Sequence, residues 1–410
     1  MPSNTQPPLV RHGRLARKSP WLTVAKFVVA AIAVVAVSSA AVGAVAVYQL
    51  SSQVTSGGVK LIGQPVAKAP PGLGAYDGEI NVLVAASDGG GGDVATYGKR
   101  NATLNDVTML LHVSADHRSA TVVSFPRDLI VPIASCPNPK GGNFPAQVNK
   151  INATLEYGGL PCIVKTVENL TGMTIPFAAL AEFQGVVGMS NAVGGVTVCI
   201  AQAIHDEQIH VDLEAGQQTL AGYDAVQFLR SRYGVYGGTD LARISNQQLF
   251  LSALVRKIKT PEVLGNPVRD YQLAQAIIDN TKRSESLSNL TTMVSMALAV
   301  KDISFEDVVF VQYPGGFGSA AGQNGVLPNR SAADILFTAL KNDQPISLTG
   351  GTGAGTAVDP NAPTVTTPVA PSSATPTDAA TAPTAVALPE TVTGQTAAQN
   401  TCTKGQRAKG

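Results

Sequence analysis

Five short apolar runs, separated and followed by helical patterns, limit what this chain can fold into. Ile80–Ala86, Val107–Val113, Ala120–Phe125, Val196–Ile200 and Val308–Tyr313 are rich in β-branched residues and too short to be buried helices. Apolar residues recur at helical spacing over 163–170, 183–193, 222–231, 244–259, 286–300 and 331–341. Pro161 stands before the first of these segments and Gly194-Gly195 after the second, the expected start and stop residues. Such interleaving predicts an α/β domain, a central sheet with helices on both faces.

The whole length does not belong to that domain. Residues 1–26 form a polar, basic segment, expected to be a cytoplasmic tail, and 27–48 are uncharged and apolar. About 22 such residues can cross ~30 Å of hydrocarbon as a helix. Arg11, Arg14, Arg17, Lys18 and Lys26 precede this run, with no acidic residue among them. The positive-inside rule then predicts a single-pass transmembrane helix in the cell membrane, N-terminus cytoplasmic and everything after Tyr48 extracytoplasmic. Ala44-Val-Ala46 resembles a signal-peptidase box, the rival reading, but the apolar run is long for a cleaved signal. Residues 49–77 read as a Gly/Pro-containing extracytoplasmic linker, and 78–347 as one packed domain of about 270 residues. The Thr/Ala/Pro-rich stretch 348–410 has too little to bury and is predicted to be a disordered, solvated tail.

A formal net charge of +1 provides no global basic field, so nucleic acid is not an expected partner. The four cysteines include no Cys-x-x-Cys pair, which argues against a zinc ribbon or a thioredoxin-like site. Cys136 and Cys162 lie in Pro-containing, loop-like stretches and are the first choice for a disulfide outside the cytoplasm. Cys199, inside an apolar run, reads as a buried thiol, and Cys402 falls in the tail. Sequence alone leaves the pairing open.

Chemistry concentrates in carboxylates and arginines. Arg230, Arg232 and Arg243 crowd into one segment with Asp240 and Gln247, in a chain only 14% charged. Arg127 and Asp128 follow the third apolar run behind Pro126. Planar, permanently charged guanidinium groups in such clusters suit phosphate oxygens. Asp88 ends the first predicted strand and Asp106 begins the second, so the two carboxylates can meet at one sheet edge. Two hard oxygen ligands, completed by phosphate oxygens and water, are a usual way to hold Mg²⁺. No Walker A, His-Glu-x-x-His or Gly-x-Ser-x-Gly sequence occurs, and Asp88–Asp93 lacks the Lys-Ser/Thr of a phosphate loop.

Five ordered segments carry a family resemblance: Asn81–Asp88, Asn105–Val113, Val123–Asp128, Lys150–Asn152, and Arg230–Tyr233 with Asp240–Gln248. Together they resemble the LytR-CpsA-Psr family, over about residues 78–260 and more loosely to about 345. Cys136, Cys162 and Gly325–Asn329 resemble the actinobacterial form. The resemblance implies a single catalytic domain around a mixed sheet, anchored in the membrane and facing outward. It implies a Mg²⁺-dependent phosphotransferase, with Mn²⁺ as a substitute. Its donor would be a polyprenyl-pyrophosphate-linked glycopolymer (arabinogalactan, a teichoic-acid-like chain or another wall polymer), and its acceptor peptidoglycan. By motif, Asp88 and Asp106 would bind the metal. Arg127, Arg230, Arg232 and Arg243 would grip the pyrophosphate, with Asp240 and Gln247 supporting them; Lys150 is a further polar position. The loop before Asp106 is longer and more Gly-rich than the family's usual one, and it leaves Arg100 six residues upstream as an additional pyrophosphate ligand. Two other functions fit the same anion-binding residues: a non-catalytic envelope protein that binds prenyl-pyrophosphate or wall polymer, and a polyprenyl-pyrophosphate pyrophosphatase.

Overall fold

The structure, a computed structural model, describes residues 44–55, 57–87, 103–362 and 385–407. The chain divides into a short unit, Met1–Gln49, and a larger one, Leu50–Gly410, which holds every element named below. The predicted span 27–48 lies outside the described residues except for 44–48, which are helical. Among the described residues, no helix is long and apolar enough to cross a membrane.

The main sheet is mixed, as expected, and has seven strands among the described residues. In chain order they are β1 (Ile80–Ser87), β2 (Val107–Val113), β3 (Ala120–Phe125), β4 (Phe177–Glu182), β7 (Thr281–Arg283), β8 (Val308–Gln312) and β10 (Gly394–Thr396), arranged in space as β7-β4-β1-β2-β3-β8-β10. The centre is an antiparallel meander, with Ala86 opposite Val107 and Thr108 opposite Phe125. β4 pairs parallel to β1, and β8 parallel to β3. A second sheet has the order β6-β5-β11-β9, with β5 at Val196–Gln202, β6 at Gly216–Leu220, β9 at Thr356–Val358 and β11 at Thr401–Lys404.

Helices α1 (Thr154–Thr171), α2 (Phe183–Ala192), α3 (Gly222–Arg230), α4 (Asp240–Ile258), α5 (Pro267–Asp279), α6 (Leu290–Val300) and α7 (Arg330–Lys341) cover the strands. Non-helical backbone at Gly158 and Gly159 splits α1, so its regular part begins beside Pro161, near the predicted start. The predicted helix 286–300 is a 3₁₀ turn, Glu285–Leu287, followed by α6. α5 has no counterpart in the sequence reading; Asn266 caps it through its side chain and Pro267 opens it, and Ile278 is its one buried residue. α4 is packed on both sides: Leu249, Phe250 and Ala253 join one apolar cluster with Phe228 and Val196, while Leu251 and Val255 pack on another around Phe310.

Two expectations are corrected. The predicted disordered tail is structured over its described part: β9, β10 and β11 pair into the two sheets, while 363–384 and 408–410 lie outside the described residues. Averaged composition hid the apolar residues that anchor it, with Leu388, Val392, Ala397 and Cys402 all buried. Its threonines are internally bonded: Thr403 donates to the Asn246 side chain, and Thr401 to Gln395 Oε1 at 2.9 Å. Cys199 is no free thiol; it is bonded to Cys402, while Cys136–Cys162 forms as expected. Parallel pairing of β11 with β5 sets Cys402 opposite Cys199, a neighbour relation across 203 residues that spacing could not reveal.

Candidate active site: an arginine cleft at the strand ends

β1, β3, β4 and β8 all end along one edge of the main sheet, with Ser87 opposite Glu182 and Gln312 opposite Ser124. β2 begins at the same edge, where the Asp106 amide donates to Ala86 O at 2.8 Å. Carboxyl ends of parallel strands are where α/β sheets bind ligands. Here they frame a cleft of about 200 Å³ lined by Asp106, Arg127, Arg230, Arg232 and Arg243, together with Phe183, Asp206 and Tyr233.

The Arg127 segment leaves β3 through a turn in which Leu129 N donates to Pro126 O at 2.9 Å. Arg127 O then accepts from Asn152 N at 3.2 Å, and Asn152 O accepts from Asn105 N at 3.1 Å. The Asn105 side chain also accepts from Thr154 Oγ1 and Leu155 N, tying the Asp106 segment to α1. Across this frame Arg127 Nη1 donates to Asp106 Oδ1 at 2.7 Å.

The other wall is the start of α4. Thr239 caps it through its hydroxyl, and Asp240 in the first turn suits the positive helix end. Asp240 Oδ2 accepts from the Arg127 backbone amide at 3.1 Å, while Oδ1 lies 2.6 Å from Arg243 Nη2 and 3.8 Å from Arg127 Nε. Arg243 Nη2 also donates to Asp106 O at 2.9 Å. The four groups form one network in which Asp106, Asp240 and Arg243 are buried and Arg127 is partly open. Burial works against the Arg127 charge, but Asp106 and Asp240 outweigh it and raise its pKa. For Arg243 burial dominates and lowers the pKa, with Asp240 opposing.

Arg230 and Arg232 form the outer wall. Arg230 ends α3 and lies over the Phe183 ring at 5.4 Å; Arg232 lies 5.3 Å from the Tyr233 ring and donates to Gly238 O at 3.1 Å. Ser231 between them is fully buried and donates to Asp206 Oδ2 at 3.2 Å, which also accepts from Gly234 N at 3.1 Å. A side chain at Gly234 would sit 2.7 Å from Ile204 Cγ2 and 2.8 Å from Ser231 Oγ, so glycine is required for this close approach.

Arg127, Arg230, Arg232, Arg243 and Asp106 thus converge, with Asp240 directly behind them. Gln247 does not line the cleft; its Nε2 donates to Leu229 O at 3.1 Å and fixes the last turn of α3, next to Arg230. Lys150 pairs with Asp128 at 3.0 Å in an adjoining cavity, outside the arginine cleft. Asp88 and Arg100 lie outside the described residues. Asp206 and Phe183 were missed by the sequence reading. Asp206 sits among the surface-type residues His205 and Glu207, and only the fold brings it to Ser231. Among the described residues, four guanidinium groups stand against the lining carboxylates Asp106 and Asp206 and the buried Asp240 behind them, an excess of positive charge suited to a diphosphate.

The profile of the LytR_cpsA_psr family matches residues 46–342. The cell wall biosynthesis protein LcpA of Corynebacterium glutamicum is 29% identical over 267 residues, 58% of this chain and 51% of that protein. The polyisoprenyl-teichoic acid–peptidoglycan teichoic acid transferase TagU of Enterococcus faecalis is 27% identical over 199 residues, 48% of this chain and 60% of that protein. The chain therefore spans about half the length of the curated relatives it matches. Among solved structures, the LytR-Csp2A-Psr enzyme from Actinomyces oris superposes with a TM-score of 0.50 at 19% identity, over 69% of this chain and 95% of the other, which shows a shared fold.

Proposed function

Since this chain belongs to the LytR_cpsA_psr family, we propose that it is a phosphotransferase that moves a glycopolymer from a polyprenyl-pyrophosphate carrier to peptidoglycan. The observation that carries this reading is the convergence of Arg127, Arg230, Arg232 and Arg243 with Asp106 in one cleft. Pyrophosphate transfer asks the protein mainly to position the substrate and neutralise charge, and an arginine cluster with buried carboxylates does both without a Ser or Cys nucleophile. The names of the relatives, a cell wall biosynthesis protein and a teichoic acid transferase, fit the same reading.

The acceptor hydroxyl oxygen attacks the phosphorus that bears the glycan. The bond from that phosphorus to the bridging oxygen breaks, prenyl phosphate leaves, and a phosphodiester joins glycan to acceptor. Arg127 and Arg243, already fixed by Asp106 and Asp240, hold the diphosphate with little reorganisation. The acceptor proton passes to a carboxylate of the buried network, Asp106 in the cleft wall or Asp240 behind it. The inner wall suits a hard cation, because Asp106 offers a carboxylate beside the anion seat. Asp106, with Asp88, would hold Mg²⁺ (Mn²⁺ as substitute), which neutralises phosphoryl charge when bound. The basic segment before residues 27–48 supports an anchor in the cell membrane with this domain outside.

The test is incubation of a prenyl-pyrophosphate-linked saccharide with peptidoglycan, with and without Mg²⁺, using Arg243→Ala as control. The expected product is saccharide bound to the wall through phosphate, lost in the variant. Hydrolysis without transfer would indicate a pyrophosphatase, and no turnover a binding protein. Mn²⁺ binding followed by electron paramagnetic resonance, weakened in Asp106→Asn, checks the metal separately.

A further inference from the structure

A second cavity, about 690 Å³, adjoins the arginine cleft, and Arg127 and Arg232 line both. Its volume is within the ~300–1,000 Å³ usual for small-ligand sites. Its far side is a hairpin, Gly315–Ala320 with Gln323–Pro328. That hairpin carries one aromatic residue, Phe317, which lines the cavity while remaining 64% exposed. Core packing does not account for a phenyl ring held in this way. Ser319 and Asn324, opposite one another in the hairpin, and the Asp128–Lys150 pair add hydroxyl, amide, carboxylate and ammonium groups to the same walls.

The hairpin is fixed to the segment that carries Arg127. Val326 N donates to Asp128 O at 2.9 Å, and Leu129 bridges to Val326. A side chain at Gly325 would lie 2.4 Å from Asp128 O, so this contact tolerates only glycine. Phe317 is therefore presented at a set position beside the anion seat.

We propose that this cavity is a saccharide subsite, with Phe317 as the platform for one face of a pyranose ring. Sugars present an apolar C–H face and a polar rim, and an aromatic ring flanked by Ser319, Asn324, Asp128 and Lys150 matches both. The inference rests on the proposed function, since a sugar esterified to a phosphate held by Arg127 and Arg232 continues into this space. The ring belongs either to the donor glycan or to the peptidoglycan acceptor, both of which present pyranose chemistry.

The test measures binding to the full-length chain of three probes: inorganic pyrophosphate, N-acetylglucosamine 1-phosphate as donor mimic, and a soluble muramyl disaccharide as acceptor mimic. Phe317→Ala is expected to weaken one saccharide probe about tenfold relative to pyrophosphate, and Phe317→Tyr to restore it. The affected probe identifies the source of the sugar. Unchanged saccharide affinities alongside intact pyrophosphate binding would overturn the subsite and leave the proposed function standing. Failure of the wild type to bind pyrophosphate would remove both. Loss of binding to anionic lipid vesicles, with saccharide binding unaffected, would assign Phe317 to a membrane contact and also overturn the subsite.

Discussion

The two ends of the same three central strands have opposite electrostatic character. Where β1 ends and β2 begins, buried charges are paired: Asp106 with Arg127, and Asp240 with Arg243. At the far end, β1 and β2 carry a neutral pair: His112 Nδ1 lies 2.8 Å from Asn81 Oδ1, both residues are buried, and Asn81 Nδ2 donates to Thr174 O. Burial lowers the His112 pKa, with Asp343 opposing from 3.8 Å. Buried ion pairs are weak contributors to stability, whereas satisfied neutral pairs cost little to bury. The charged end is accordingly where ligand chemistry belongs, and the far end serves the fold.

The sharpest way to break this contrast is at Arg243. Arg243→Ala is expected to lower transfer about 10³-fold or more, measured as wall-bound saccharide per folded molecule. It also leaves Asp240 buried with a weakened partner set, so thermal unfolding is expected to show a loss of about 3 kcal/mol. Arg127→Lys keeps a charge near Asp106 but removes the planar fork, and transfer is expected to fall about 10²-fold, with most of the loss in kcat. At the far end, His112→Leu leaves Asn81 Oδ1 unpaired. An expected cost of about 1–3 kcal/mol should appear in denaturant unfolding, with turnover per folded molecule unchanged.

The pH dependence sharpens the contrast further. Because the folded-state pKa of His112 is depressed, its contribution to stability is complete above the unfolded value of about 6.5 and is lost as pH falls below it. Between pH 6.5 and 5 the wild-type Tm is expected to fall, and His112→Leu to fall less. The smallest expected effect is at Lys150, partly exposed and paired with Asp128. Lys150→Ala is expected to change stability by less than about 1 kcal/mol.

The strands β1, β2, β3, β5 and β8 were legible because buried β-branched runs have few other uses. The arginine cleft was legible because guanidinium groups are conspicuous in a charge-poor chain. Asp206 was not, since its role depends on Ser231 and Gly234 arriving from another element. The C-terminal strands were hidden for a related reason. Thr356–Val358 and Thr401–Lys404 have no apolar run of their own, and become strands only against each other and β5. Their hydrogen bonds and the Cys199–Cys402 bond supply what local sequence lacks.

The most direct test of the central claim is a structure of the full chain bound to a prenyl diphosphate. Diphosphate oxygens are expected within about 3.2 Å of guanidinium nitrogens of Arg127 and Arg243, with Arg232 closing the outer side. A diphosphate seated elsewhere, with Arg127 and Arg243 bonded only to Asp106 and Asp240, would contradict that claim.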